Sequence, residues 1–132
     1  MTERETRTTD SESIDPEELL PEESGLNLGE YLAMQKSIGN ETRFRILYAL
    51  KERGEMSLDD LRGAFDVEPS ALRYHLGELR NVGLVLYRER KTVESDELFS
   101  YYVASAMGEA ILEHGVKELM QREWEFKERY SS

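Results

Sequence analysis

Through most of this 132-residue chain, apolar residues recur every three or four positions, the spacing that places them on one face of a helix. Punctuation divides the pattern. Asn27 with Glu30 three residues on resembles a capping box, and a first helix is predicted over Leu28 to Ile38, stopped by Gly39. Asn40 can cap a second, whose apolar face is Phe44, Leu47, Tyr48 and Leu50, ahead of Gly54. Ser57 and Asp60 repeat the capping signature before Leu58, Leu61, Ala64 and Phe65, a short third helix. After a turn at Asp66 to Glu68, Pro69 suits the first position of a fourth, where its missing N–H costs nothing. Leu72, Leu76 and Leu79 bury one side of that helix and leave Ser70, Arg73, Tyr74, Gly77 and Arg80 nearer the other, until Gly83 ends it.

The periodicity then changes. Leu84 to Arg90 and Phe99 to Ala104 are rich in strand formers and separated by eight mostly polar residues, which predicts a β-hairpin with a long loop. Helical spacing returns at Ala106, with Leu112, Val116, Leu119, Phe126 and Tyr130 along one stripe that Glu123 interrupts, and Gly115 could divide the region in two. Helix, helix, short helix, turn, helix, hairpin, helix is the order of a winged helix-turn-helix. The predicted class is therefore α+β, mainly α, with a two-stranded wing over residues 84–104 inside a domain of residues 26–105, and a C-terminal helix over 106–132.

Charge adds a third region. Residues 1–30 hold ten acidic groups against Arg4 and Arg7, a net of −8 that leaves only −3 of the total −11 for the remainder. Residues 1–25 contain Pro16 and Pro21 and few large apolar groups, so they are expected to be a mobile acidic tail with a short helical turn at Pro16 to Leu20. The tail either solubilises the chain or competes with DNA for its basic surface. The 28 acidic residues, and twelve arginines against five lysines, resemble the composition of proteins from organisms with very salty cytoplasm, such as halophilic archaea.

Several function classes drop out. With no cysteine, thiolate metal sites, disulfides and thiol redox sensing are excluded, and His75 and His114 alone make no convincing metal site. No nucleophile motif, phosphate-cradling glycine loop or paired-His signature suggests an enzyme or calls for a cofactor. No apolar run approaches the roughly 18 residues of a membrane span, and no signal-peptide core follows the N-terminal charges, so a cytoplasmic protein without membrane partners is expected.

The stretch SIGNETRFRILYALKERGEMSLDDLRGAFDVEPSALRYHLGELRNVGLV carries more than an element order. With its Gly-Asn-x-x-Arg-x-x-Ile-Leu start and His-Leu-x-x-Leu-x-x-x-Gly-Leu-Val end, it resembles the ArsR-type winged-helix transcription regulators, well over Ser37 to Val85 and loosely as far as Leu112. The resemblance implies a dimeric repressor or activator whose helix over residues 69–81 lies in the major groove, with the wing on the neighbouring backbone. Where some members carry a Cys-x-Cys metal motif, this chain reads Leu61-Arg62-Gly63-Ala64-Phe65, and soft-metal sensing of that kind is not expected.

Ser70 to Lys91 holds five basic groups against Glu78 and Glu89, a local net of +3. Arg73 could grip a guanine bidentately or be a solvated surface arginine, Ser70 could reach a base edge or phosphate or simply support the helix start, and Tyr74 could reach a phosphate. The family resemblance sets His75 against the DNA backbone, the alternative being a partly buried histidine satisfied within the helix pair. Arg80 completes the basic helix face, and Arg88, Arg90 and Lys91 suit phosphate contacts from the wing. Arg43 matches a family arginine and is expected in an ion pair within the domain. Double-stranded DNA is the expected partner, the alternative being a winged helix used only for protein contacts; the effector is unknown. Leu28, Tyr31, Leu32 and Gln35 on the first helix, with the stripe of the last, form the expected homodimer surface, with Trp124 near its edge. The alternative is a last helix folded back over its own domain.

Overall fold

The computed structural model describes residues 14–131. The expected tail falls largely on residues 1–13, outside them; the described part of it contains a single 3-10 turn at Pro16–Leu19, fixed by an Asp15 carboxylate that accepts the Glu17 N–H at 3.0 Å. Helices α1 (Leu28–Ile38), α2 (Glu41–Arg53), α3 (Leu58–Ala64) and α4 (Pro69–Asn81) follow, then strands β1 (Val85–Lys91) and β2 (Leu98–Ala104). The C-terminal region is three short helices, α5 (Ala106–Glu113), α6 (Val116–Gln121) and α7 (Glu123–Ser131).

Local chemistry fixes the boundaries. Both capping boxes form: Asn27 Oδ1 accepts the Glu30 N–H at 2.8 Å while a Glu30 oxygen accepts the Asn27 N–H at 2.9 Å, and Ser57 and Asp60 do the same for α3. Gly83, at φ +80°, turns the chain out of α4 in a conformation that side-chain-bearing residues rarely adopt. The strands pair antiparallel from Val85–Ala104 to Lys91–Leu98, and the six-residue loop between them is shorter than the eight residues expected. Met56, between α2 and α3, exchanges both backbone hydrogen bonds with Tyr102 at 3.1 and 2.8 Å, so the wing is bonded to the helical domain as well as packed on it.

One core joins the elements. Ile46, Leu47 and Leu50 of α2 meet Leu61 of α3 and Leu72, Leu76 and Leu79 of α4, with Met56, Leu84, Val85 and Leu112 closing it, all essentially inaccessible to solvent. The apolar face expected for α2 needs correction: Ile46 is buried, Phe44 is half-buried and Tyr48 is exposed, because the covered face of the helix, with Ile46, Leu47 and Leu50, is rotated toward Ile46. The C-terminal stripe needs a larger one. Leu112, expected on the dimer surface, is 1% exposed in its own domain's core, so α5 packs on the domain while the residues of the stripe beyond it do not join that core. Beyond it, the division offered at Gly115 occurs, and a further break at Arg122 makes three helices where two at most were expected.

Candidate nucleic-acid interface

Helix α4 is the element on which the site is built. Its three buried leucines fix its rotation, and that rotation leaves Ser70, Arg73, Tyr74 and Arg80 exposed along the opposite side. The Arg80 guanidinium lies over the Tyr87 ring, 5.2 Å from its centre, so the far end of the helix is in contact with the first strand of the wing. Such a cation–ring contact leaves the edge of the guanidinium open while restricting where it can go.

His75 is turned away from the exposed row, half-buried toward α2. Its Nδ1 is 3.1 Å from Nη1 of Arg43, and Nε of the same guanidinium donates to the Ser37 carbonyl at 2.8 Å. Arg43 was expected in an ion pair; its bonded partners are instead a backbone carbonyl and an imidazole. Burial first, then the Arg43 charge, push the His75 pKa down, and Glu78 opposes them. The Tyr74 ring meets the imidazole edge-to-face, at a centroid distance of 5.4 Å.

The wing places its three cations unequally. Cross-strand partners share a face, so Arg88 and Arg90 stand with Tyr101 and Phe99, while Lys91 is on the face of Tyr87 and Glu89. Arg90 is already engaged: Nη1 is 2.9 Å from a Glu55 oxygen, and the guanidinium lies 4.8 Å from the Phe99 ring centre and 4.7 Å from that of Tyr101. It ties the wing to the loop after α2. Arg88 and Lys91 are exposed. Beyond Lys91 the loop carries Glu94, Asp96 and Glu97, all exposed, which matches the +3 of the preceding stretch with an equal negative charge at the tip. Counting charge only as far as Lys91 misses this; the sequence shows it once the loop is recognised as the point of the wing.

The proposed dimer residues divide in the same way. Leu28 and Tyr31 are half-buried, with Tyr31 packed on the core, whereas Leu32 is 56% exposed. Val116, Leu119 and Met120 of α6 and Trp124 of α7 are exposed, Phe126 is half-exposed under the Arg122 guanidinium, and the side chain of Tyr130 lies outside the described residues. Among the described residues no group of three His, Asp or Glu side chains could hold a metal ion, and no helix is long and apolar enough to cross a membrane.

A helical domain with its wing bonded to Met56, and a fourth helix open along one side, is a winged helix-turn-helix. Residues 38–88 match the family described as a helix-turn-helix domain. The chain is 33% identical over 75 residues to the arsenical resistance operon repressor of Bacillus subtilis, an alignment that spans 57% of this chain and 66% of the repressor. It is 30% identical to HlyU from Vibrio cholerae, with a TM-score of 0.51 over 64% of this chain and 83% of that one. A transcriptional regulator of the MarR family from Enterococcus faecalis superposes with a TM-score of 0.61 over 83% of this chain and 96% of its own, at 15% identity, and so shares the fold. The chain thus carries a helix-turn-helix domain and is similar in sequence to an arsenical resistance repressor and to HlyU. Its relatives are regulators, not enzymes.

Proposed function

We propose that this protein is a sequence-specific DNA-binding transcription regulator that works as a homodimer, with α4 in the major groove and the wing against the backbone. The observation that carries this reading is the exposed row Ser70, Arg73, Tyr74 and Arg80 on a helix whose other side is anchored by three buried leucines. Arg73 is the residue assigned to base reading, since a guanidinium matches guanine O6 and N7; Arg88 and Lys91 take the phosphate role, and Arg90 supports the wing rather than touching DNA. Exposed Leu32, Leu119, Met120 and Trp124 support self-association through α1 and the last helices, because one recognition helix reads too short a site and the paired half-sites follow the twofold axis. The acidic, arginine-rich composition supports a host with a salty cytoplasm.

The acidic wing tip favours a second reading, a winged helix that contacts proteins only. Binding of Arg73→Ala and wild type to genomic fragments selected by the wild-type protein, and to random duplex, separates the two. A loss of roughly 1–3 kcal/mol on selected fragments, with little change on random DNA, is expected. Failure of the wild type to bind any duplex at low or high salt assigns the protein to the second reading.

A further inference from the structure

We propose that Arg43 is a positioning residue for DNA binding, acting through His75 to hold the recognition helix in register with the end of α1; the proposal rests on the DNA-binding reading above. Three helices meet at this one side chain. Arg43 is fixed at the start of α2, where the Asn40 cap accepts its backbone N–H at 3.0 Å. From there one guanidinium edge reaches the Ser37 carbonyl, in the last turn of α1, and another reaches His75 on α4. The Gly-Asn-x-x-Arg segment thereby has a physical reading: Gly39 ends one helix, Asn40 starts the next, and Arg43 links both to a fourth.

The clamp also sets the chemistry of the imidazole. Arginine is permanently protonated and has no acceptor, so Nδ1 of His75 accepts from it, and the ring is neutral with its proton on Nε2. Two charged groups act on the ring, Arg43 from α2 and Glu78 from α4 itself; α1 contributes the neutral Ser37 carbonyl through Arg43. No described residue accepts from Nε2. The half-exposed ring therefore keeps one oriented N–H donor for an acceptor outside the domain, and on DNA that acceptor is a phosphate oxygen. Because α1 belongs to the proposed dimer surface, the same clamp fixes the recognition helix relative to the twofold axis, which decides half-site spacing.

The test joins two measurements on the full chain: nitrogen NMR of the His75 ring across pH, and DNA binding by Arg43→Met, Arg43→Lys, His75→Phe and the Arg43→Met/His75→Phe pair. The wild-type ring should show the Nε2–H tautomer alone and titrate below the ordinary 6.5, and Arg43→Met should restore a tautomer mixture and raise the titration point. Each single variant should bind selected DNA about tenfold more weakly, and the pair no more weakly than the worse single, because the two residues act in series. Arg43→Lys should behave almost as Arg43→Met, since an ammonium keeps the charge but cannot span both acceptors. Should Arg43→Met prove unfolded, the wild-type ring and Arg43→Lys carry the test. An Nδ1–H tautomer or ordinary titration in the wild type overturns the clamp, and losses that multiply to about a hundredfold overturn its action through His75. A wild type with the expected ring but no affinity for DNA overturns the positioning role together with the DNA-binding reading, and leaves the clamp as a feature of the fold.

Discussion

Replacing Gly108 and Gly77 by alanine is the same chemical change in two helices, and the structure predicts opposite results. A methyl at Gly108 would lie well inside contact distance of the Leu84 carbonyl oxygen, 3.1 Å from its carbonyl carbon and 3.2 Å from Cδ1 of Leu47. The leucine side chain can give way. The carbonyl cannot, because it accepts the Ser105 N–H at 3.0 Å while the Ser105 hydroxyl donates to the Gly83 carbonyl at 2.7 Å, so the obstacle is the knot that joins α4, the wing and α5. Overpacking costs typically about 1–3 kcal/mol, and a backbone obstacle puts this site at about 3; alanine's better helix propensity returns about 1, leaving a net loss of about 2 kcal/mol. At Gly77, in the middle of α4, nothing lies within 4 Å of the added methyl, and only the propensity gain of up to about 1 kcal/mol remains. Urea titration followed by circular dichroism would give both changes, with unchanged m-values showing that the native fold is kept. At about 4 °C per kcal/mol for a domain of this size, the melting points should move down by roughly 8 °C and up by roughly 4 °C. Equal stability of Gly108→Ala and wild type would refute the claim that this junction is rigid.

Two further outcomes follow from the side-chain environments of His75 and the C-terminal helices. The His75 pKa is lower in the folded chain than its ordinary 6.5, so the unfolded chain takes up the proton first as pH falls; the stability it contributes is present above 6.5 and is lost as pH drops through the lower folded value. Wild type should therefore lose more stability than His75→Phe between about pH 7.5 and 5.5 in urea titrations, and parallel losses would count against the depressed titration. Glutamate at both Leu119 and Phe126 should leave helical content intact and yield monomers by sedimentation, whereas a wild-type monomer at micromolar concentration would remove the proposed dimer surface.

What the sequence makes legible is local. The capping pairs at Asn27 and Ser57, Pro69 at a first helical position and Gly83 at a left-handed turn act within three or four residues, and α1 and α4 have their expected bounds. Choices made by distant neighbours are hidden. Ile46 and Tyr48 flank the same stripe of α2, and the elements that pack on that helix from elsewhere in the chain leave Ile46 covered and Tyr48 exposed. Leu112 shares a helical period with Leu119, yet the chain breaks at Gly115 and the two residues part, one into the core and one into solvent. Among the candidate site residues the exposed row on α4 follows from periodicity, but the partners of Arg43 and Arg90 are 32 and 35 residues away at His75 and Glu55, beyond any spacing rule.

The charge arrangement finally bears on how so acidic a chain could hold a polyanion. On the proposed DNA face the three exposed cations left for phosphates, Arg80, Arg88 and Lys91, would by counterion release alone give a salt slope on random duplex of about −2.7 per protomer. Arg90 adds little to that, being neutralised by Glu55, and the three carboxylates at the wing tip stand just beyond Lys91, where they meet the same phosphates with the opposite sign. At physiological salt, with a screening length of about 8 Å, the tip offsets most of the attraction; at 1 M, where the length is about 3 Å, contacts at bonding distance survive and the tip's repulsion does not. Binding should therefore weaken far less steeply with salt than the cation count requires, with a slope nearer −1 per protomer. Glu94→Gln, Asp96→Asn and Glu97→Gln together should strengthen binding at low salt, steepen the slope toward about −2.7, and change little at 1 M. A triple variant with the wild-type slope would show that the tip stands clear of the DNA, and the wing would then have to approach the backbone by its strands alone.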